Sequence, residues 1–326
     1  MSVQSNDEKP EGKIPMNTLK AAVVQAAPIP GDTAATVAKT VGLILDAARS
    51  GIQLMVFPEA FVGGYPKGAN FDIHIGGRTP TGRAEFARYH AGAIAVPGPE
   101  TQAIGAACCE AGTYLTIGVI EREGGTLYCT ALYFAADGVL LGKHRKLMPT
   151  AAERLCWGFG DGSTLKTVPT PWGQMGAVIC WENYMPMMRM AMFSQNIALY
   201  CAPTADDRDS WASTMQHIAL EGRCFVLSSC QYLTRADFPA DMHNVLSDDD
   251  AHVLMRGGSM IIDPLGRIVA GPSYSGEAML TAELNLDDIP KAQFDFDPVG
   301  HYSRADVFQL TVDTRPMQAV KLADAP

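Results

Sequence analysis

Met175-Gly176-Ala177-Val178-Ile179-Cys180-Trp181-Glu182-Asn183-Tyr184-Met185-Pro186 decides how this chain is read. Small and β-branched residues make a run suited to a buried strand, and the run stops at a cysteine. In an open α/β sheet, ligands bind just beyond the carboxyl ends of strands. A cysteine at such an exit presents its sulfur to a substrate while its backbone stays anchored in the sheet. Two other apolar runs end the same way, one (53–59) at Glu59 and one (139–146) at Lys146. A thiol, a carboxylate and an ammonium at three strand exits make a candidate nucleophilic site.

Strands and helices alternate around these runs. Residues 19–25 read as a first strand. Asp32 then caps a helix in which Val37, Val41, Ile44, Leu45 and Ala48 recur at helical spacing up to Gly51. The Glu59 strand follows at once, a spacing that predicts two parallel strands joined by a helical crossover. Residues 63–82 are glycine-rich and carry Tyr65, Pro66 and Phe71, and a loop of that length is usually functional. A helix from Pro99 to about Glu110 and a strand over 113–119 come next. Strands 127–135 and 139–146 are joined at Asp137-Gly138, a strong hairpin signal. Past the cysteine, helices over 187–195 and 211–222 alternate with strands over 197–202 and 225–229. A hairpin turning at Pro264-Leu265-Gly266 and a strand over 278–284 complete the pattern. The alternation predicts the α/β class, and no linker breaks it. The expected organisation is one domain over 17–300, a polar, disordered leader over 1–16, and a C-terminal tail over 301–326.

Composition narrows the function. The 326 residues are 47% hydrophobic and 18% charged, as expected of a soluble globular enzyme, and can bury a sizeable core. A net charge of −10 argues against nucleic-acid and anionic-membrane partners. No apolar run reaches the roughly 18 residues a membrane span needs, and the N-terminus lacks the apolar core of a signal peptide. The eight cysteines include no C-x-x-C pair, which suits reduced thiols in the cytoplasm. Residues 237–252 hold five aspartates without lysine or arginine, and read as a solvated insertion whose spacing does not match an EF-hand. The seven histidines show no paired-ligand spacing, so neither a metal nor another cofactor is expected.

Most buried cysteines are inert packing, and Cys108, Cys129, Cys201 and Cys224 are read so. Cys180 differs by its place at a strand exit. A carboxylate emerging from Leu-Met-Val-Phe-Pro, as Glu59 does, should have a raised pKa, which a general base working near neutrality requires. A cation fixed where Lys146 stands could stabilise developing negative charge. Glu153 taken alone could be structural or catalytic. Tyr65 and Trp157 could line an apolar pocket, and Trp181 and Glu182, next to the cysteine, are further candidates for substrate contact. The methionines crowded at 185, 187, 188, 190 and 192 are read as core filling.

Phe57-Pro58-Glu59-Ala60-Phe61, His144 to Thr150 and Cys180-Trp181-Glu182-Asn183 together resemble the three signature motifs of the nitrilase superfamily, the carbon–nitrogen hydrolases. The likeness runs from Lys20 to the Gly300-His301-Tyr302-Ser303-Arg304 segment. The Cys-Trp-Glu-Asn form, Pro149-Thr150 followed by Glu153-Arg154, and Gly158 to Ser163 resemble the nitrilase branch, close to plant-type nitrilases. The resemblance implies a four-layer α-β-β-α sandwich. It also implies Cys180 as nucleophile, Glu59 as general base, Lys146 as the charge-stabilising cation and Glu153 as a second active-site carboxylate. The implied substrate is an organic nitrile, aliphatic or an aryl-substituted acetonitrile, including cyanoalanine-like compounds. It would pass through a cysteine thioimidate and thioester to the acid and ammonia, with some amide as by-product. Self-association into homo-oligomers or filaments is implied as well. An amidase using the same residues and a catalytically silent assembly scaffold remain open at this point, though the motif forms favour nitriles.

Overall fold

The computed structural model describes residues 17–317 and 320, so the expected leader and the last residues of the expected tail lie outside it. In chain order the first half contains β1 (Thr18–Gln25), α1 (Thr33–Arg49), β2 (Leu54–Val56), α2 (Pro80–Gly92), α3 (Pro99–Ala111), β3 (Tyr114–Glu123), β4 (Thr126–Phe134) and β5 (Leu140–Arg145). The second half contains β6 (Val168–Thr170), β7 (Gly173–Ala177), α4 (Pro186–Phe193), β8 (Ile197–Thr204), α5 (Asp209–Gly222), β9 (Phe225–Cys230) and the pair β10 (Tyr232–Thr234) and β11 (Val253–Arg256). It closes with β12 (Ser259–Ile262), β13 (Ile268–Ser273), β14 (Ala278–Asn285) and α6 (Asp288–Asp295).

Two six-stranded sheets result, ordered β14-β1-β2-β3-β4-β5 and β13-β12-β9-β8-β7-β6. The crossover expected from the first strand to the Glu59 run is present. Asp32 accepts from Ala35 N at the start of α1, and β1 and β2 pair in parallel. Side-chain alternation along the strands builds the layers. Ala21 and Val23 of β1 enter a core shared with Met175, Ala177, Leu199 and Leu227 of the other sheet. Ala22 and Val24 point the opposite way and pack with Ile44 and Ile104 of α1 and α3. In β8, Leu199 and Cys201 face the core between the sheets, while Tyr200 and Ala202 pack with Met192, Trp211 and Ile218 of α4 and α5. The order is therefore helices, sheet, sheet, helices, the four-layer α-β-β-α sandwich.

Several features differ from the expected elements: β6, the β10–β11 pair and α6 were not expected, and the Glu59 strand is ordered only over Leu54–Val56. The cysteine strand ends at Ala177: Val178 N–H still donates to Cys201 O of β8, but the groups after it bond elsewhere. Ile179 N–H donates to the Glu182 carboxylate, and Val178 C=O accepts from the Asn183 amide. The helix α2 was not expected. Thr79 caps it, its Oγ1 accepting from Gly82 N; of its residues only Gly82 is fully buried, with Phe86 and Tyr89 half-buried against the core. The strand before the second helix of the second half runs to Thr204, two residues beyond its expected end. Among the methionines Met188 and Met192 are core residues as expected, whereas Met187 is exposed. No helix among the described residues is long and apolar enough to cross a membrane, and none of their His, Cys, Asp and Glu side chains group as a metal site.

Candidate active site

Glu59 comes three residues after β2. Its turn is held on β3, where Gly118 N–H donates to Pro58 O (3.1 Å) and Gly118 O accepts from Phe61 N (2.8 Å). From just past β9, Gln231 Nε2 donates to Glu59 O at 2.8 Å. Lys146 is the first residue past β5, its N–H bonded to Cys129 O of β4. Cys180 opens a 3₁₀ turn over Cys180–Tyr184. Its φ is +49°, in the left-handed region that non-glycine residues seldom adopt, and Ala60 next to Glu59 has φ +50°. Strain of this kind persists only where surrounding bonds over-determine it. Here they do. Asn183 Nδ2 donates to both Cys180 O and Val178 O, and Tyr200 Oη donates to Asn183 Oδ1.

The side chains converge. Lys146 Nζ lies 2.6 Å from Glu59 Oε1 and 2.7 Å from Glu153 Oε2. Tyr65 Oη donates to Glu153 Oε1 at 2.7 Å, and Thr150 N–H donates to Glu153 Oε2 at 2.6 Å. Thr204 Oγ1 lies 3.3 Å from Cys180 Sγ. The Trp157 ring centroid is 5.6 Å from Lys146 Nζ and 5.7 Å from the Tyr65 ring, and Trp157 Nε1 donates to Tyr89 Oη. All this is buried: Glu59 and Lys146 are 0% and 1% exposed, Cys180 4%. Glu59 Oε2 has no hydrogen-bond partner among the described residues.

Burial sets the electrostatics. It raises the Glu59 carboxyl above its ordinary range, Lys146 pulls it back, and Glu153 pushes it up again. Burial, then Glu59, pushes the Cys180 thiol up, so the resting sulfur is protonated. Burial opposes the charge on Lys146, but Glu59 and its other neighbours outweigh burial and hold the ammonium well above its usual value. The arrangement is thus a neutral thiol beside a carboxylate whose second oxygen is open, with a permanent cation clamped between two acids. Such a site can activate the thiol for attack on an electron-poor carbon and stabilise the charge that attack creates.

Of the residues singled out in the sequence, Glu59, Lys146, Glu153, Cys180, Tyr65 and Trp157 share this site. Tyr65 and Glu153 also line a cleft between the loop at 65–73 and the turn at 152–156, with Lys67, Phe71 and Leu155. Trp181 is 42% exposed, and its Nε1 donates to Asp206 Oδ2. Glu182 is committed elsewhere. Its oxygens accept from Leu147 N (2.6 Å) and Ile179 N (2.8 Å), and His144 Nε2 lies 3.1 Å away, so it ties the β5 exit to the Cys180 turn instead of facing a substrate. Cys129 was read as inert packing, but its thiol donates to Glu59 Oε1 at 3.4 Å. Sequence reasoning missed Thr204 and Gln231. Each is a polar residue at or just past the end of a fully buried strand, the same signal that picked out Cys180.

The sequence profile described as Carbon-nitrogen hydrolase matches residues 20–294. An aliphatic nitrilase of Sinorhizobium fredii (strain HH103) is 72% identical over 305 residues, covering 94% of this chain and 99% of its own. Nitrilase 2 of Arabidopsis thaliana is 48% identical over 324 residues, covering 98% and 96%. The bifunctional nitrilase/nitrile hydratase NIT4A of Lupinus angustifolius is 52% identical over 313 residues, covering 94% and 90%. The crystal structure of a carbon-nitrogen hydrolase from Helicobacter pylori G27 superimposes with a TM-score of 0.71 over 90% of this chain and 97% of that one. At 18% identity that likeness concerns the fold.

Proposed function

We propose how this chain does what its family does: it belongs to the carbon–nitrogen hydrolases, in the nitrilase branch and close to plant nitrilases, and it hydrolyses an organic nitrile to the carboxylic acid and ammonia. The observation that carries the assignment of roles is the Lys146 ammonium bonded to Glu59 and Glu153 at once, beside a buried cysteine thiol. Glu59 Oε2 takes the thiol proton as Cys180 Sγ attacks the nitrile carbon. Lys146 spends two of its three N–H donors on the carboxylates, and the third meets the nitrogen as it gains electrons and takes from Glu59 the proton that the thiol gave up. Glu59 then activates water, which adds to the thioimidate. Ammonia leaves, and a second water frees the acid from the thioester. Glu153, anchored by Tyr65 and Thr150, holds Lys146 in place. The aromatic faces of Tyr65 and Trp157 favour aliphatic or aryl-substituted acetonitriles, cyanoalanine-like compounds included. We further propose that the enzyme works in the cytoplasm as a homo-oligomer, dimers associating into larger or helical assemblies.

Cys180→Ala tests the nucleophile. Ammonia release from a nitrile should fall to background while the circular dichroism spectrum and melting temperature stay near wild type. With a slow substrate, mass spectrometry of the wild type should find an adduct on the peptide containing Cys180. Turnover by Cys180→Ala would remove Cys180 from the mechanism. Ammonia from the matching amide but never from the nitrile would make the enzyme an amidase.

A further inference from the structure

Thr204, fully buried at the end of β8, places its hydroxyl on the nucleophile's sulfur. The direction of that bond follows from the hydroxyl's other contact. Thr204 Oγ1 accepts from Asp206 N–H at 2.9 Å, which leaves the hydroxyl proton for Cys180 Sγ at 3.3 Å. Other donors nearby are turned to the carboxylates: Cys129 to Glu59, Tyr65 to Glu153, and two of the three N–H groups of Lys146 to Glu59 and Glu153. We propose that Thr204 is a catalytic residue that donates a hydrogen bond to the sulfur of Cys180 whenever it carries negative charge, and so sets the ratio of amide to acid released.

The proposal rests on Cys180 being the nucleophile. Sulfur becomes anionic when it gives its proton to Glu59 and attacks, and again each time a C–S bond breaks. After water has added to the thioimidate, the tetrahedral carbon carries sulfur, a hydroxyl and an amine. If the C–N bond breaks, its electron pair leaves with nitrogen, which takes up the hydroxyl's proton and departs as ammonia. The thioester that remains goes on to the acid. If the C–S bond breaks, the pair returns to sulfur, the hydroxyl's proton passes through Glu59 to the thiol, and the amide departs. A donor on sulfur stabilises the thiolate as a leaving group, and so favours the second exit relative to the first. The same donor speeds the initial attack and the final release of sulfur from the thioester. Burial and Glu59 both push the thiol's pKa up, and the Thr204 bond opposes them.

Thr204→Val keeps the shape and removes the donor. It should slow ammonia release about 10- to 100-fold, the usual effect of losing a hydrogen bond to a charged group. Two readouts separate this role from a structural one. Alkylation by iodoacetamide, followed on the peptide containing Cys180, should move to higher pH by about one unit. The amide-to-ammonia ratio over a panel of nitriles should fall. Thr204→Ser should restore all three. If the wild type releases no amide from any nitrile tested, the alkylation profile decides. Thr204→Ala, which adds no bulk, is measured in the same way should the valine variant fail to fold. The proposal is overturned if the donor-free variants keep the wild-type alkylation profile and amide ratio. It is equally overturned if neither folds while Thr204→Ser does, since the hydroxyl's task would then be to accept from Asp206 N–H. Turnover by Cys180→Ala would instead strike down the nucleophile assignment itself.

Discussion

Three buried charges govern the chemistry: one ammonium and two carboxylates. Lys146 satisfies Glu59 and Glu153 together, so each acid competes with the other for the same cation. The consequence appears at Glu59, whose pKa is raised by burial and, after the opposing pull of Lys146, by Glu153. A general base acts only above its own pKa, so the acid limb of kcat/KM should lie above the ordinary carboxylate range. Glu153→Gln removes one upward push and leaves Lys146 wholly to Glu59, so that limb should move to lower pH. Turnover should fall as well, since the amide holds Lys146 less firmly. A pH series of kcat/KM on the two enzymes checks the shift, and a limb that stays put or rises would refute this electrostatic account. Stability carries the same sign. A carboxyl whose folded pKa is raised stabilises the fold below its unfolded value, near 4.3, and that contribution is lost as pH rises through the folded value.

The turns that present these groups are as tightly specified as the groups. A Cβ on Gly118 of β3 would stand 2.3 Å from Pro58 O and 2.7 Å from Glu59 Cα, with nothing flexible to yield. Gly118→Ala should therefore push the Glu59 turn away from Lys146. We expect kcat to drop on the order of 100-fold, as for a misplacement of about 1 Å, and stability to fall by about 1–3 kcal/mol from overpacking. Kinetics and thermal melts of this variant give both numbers, and an unchanged kcat would mean that the turn tolerates the shift. The same elements show what a sequence reveals. Cys180, Glu59 and Lys146 stand out because each ends or closely follows an apolar run, and such runs are local. Glu182 misleads because a carboxylate two residues from the nucleophile looks like part of its chemistry. One of its true partners, Leu147 N, lies 35 residues away in the chain, just past the end of β5 in the other sheet. Thr204 escaped notice because the run containing it was cut two residues short. The helix α2 left no mark because it meets the core through little more than Phe86 and Tyr89, too few contacts to print a helical apolar stripe. The four layers, by contrast, follow from alternation that any strand displays, once the pairing of the two sheets is known.

Beyond α6 the described chain carries large apolar groups into solvent: Phe308 is 80% exposed, and Tyr302 and Val307 stand out beside it. The segment then returns to the domain, where Met317 N–H donates to Asp161 Oδ2. A chain end held out in this way loses conformational freedom unless a surface receives its side chains. We propose that a neighbouring copy of the chain provides that surface. Truncation after Arg304 should then shift the size distribution in light scattering towards smaller species, with ammonia release per site as a check that the domain is intact. A wild-type protein that is strictly monomeric at working concentration would exclude this role for the tail.

The pairing of β1 with β14 joins the first strand of the chain to the last, over eight residues from Thr18↔Asn285 to Gln25↔Ala278. On the ribosome these partners emerge far apart in time. At about 5–20 residues per second, roughly ten to fifty seconds separate their synthesis. Throughout that interval one edge of β1, with Ala22, Val23 and Val24 along it, has no strand to bind. The nascent protein thus spends most of its translation with this edge of β1 open. We therefore expect its yield in a cell to depend on translation speed and on chaperone supply, long before any nitrile is met, and soluble yield with and without added chaperone checks this.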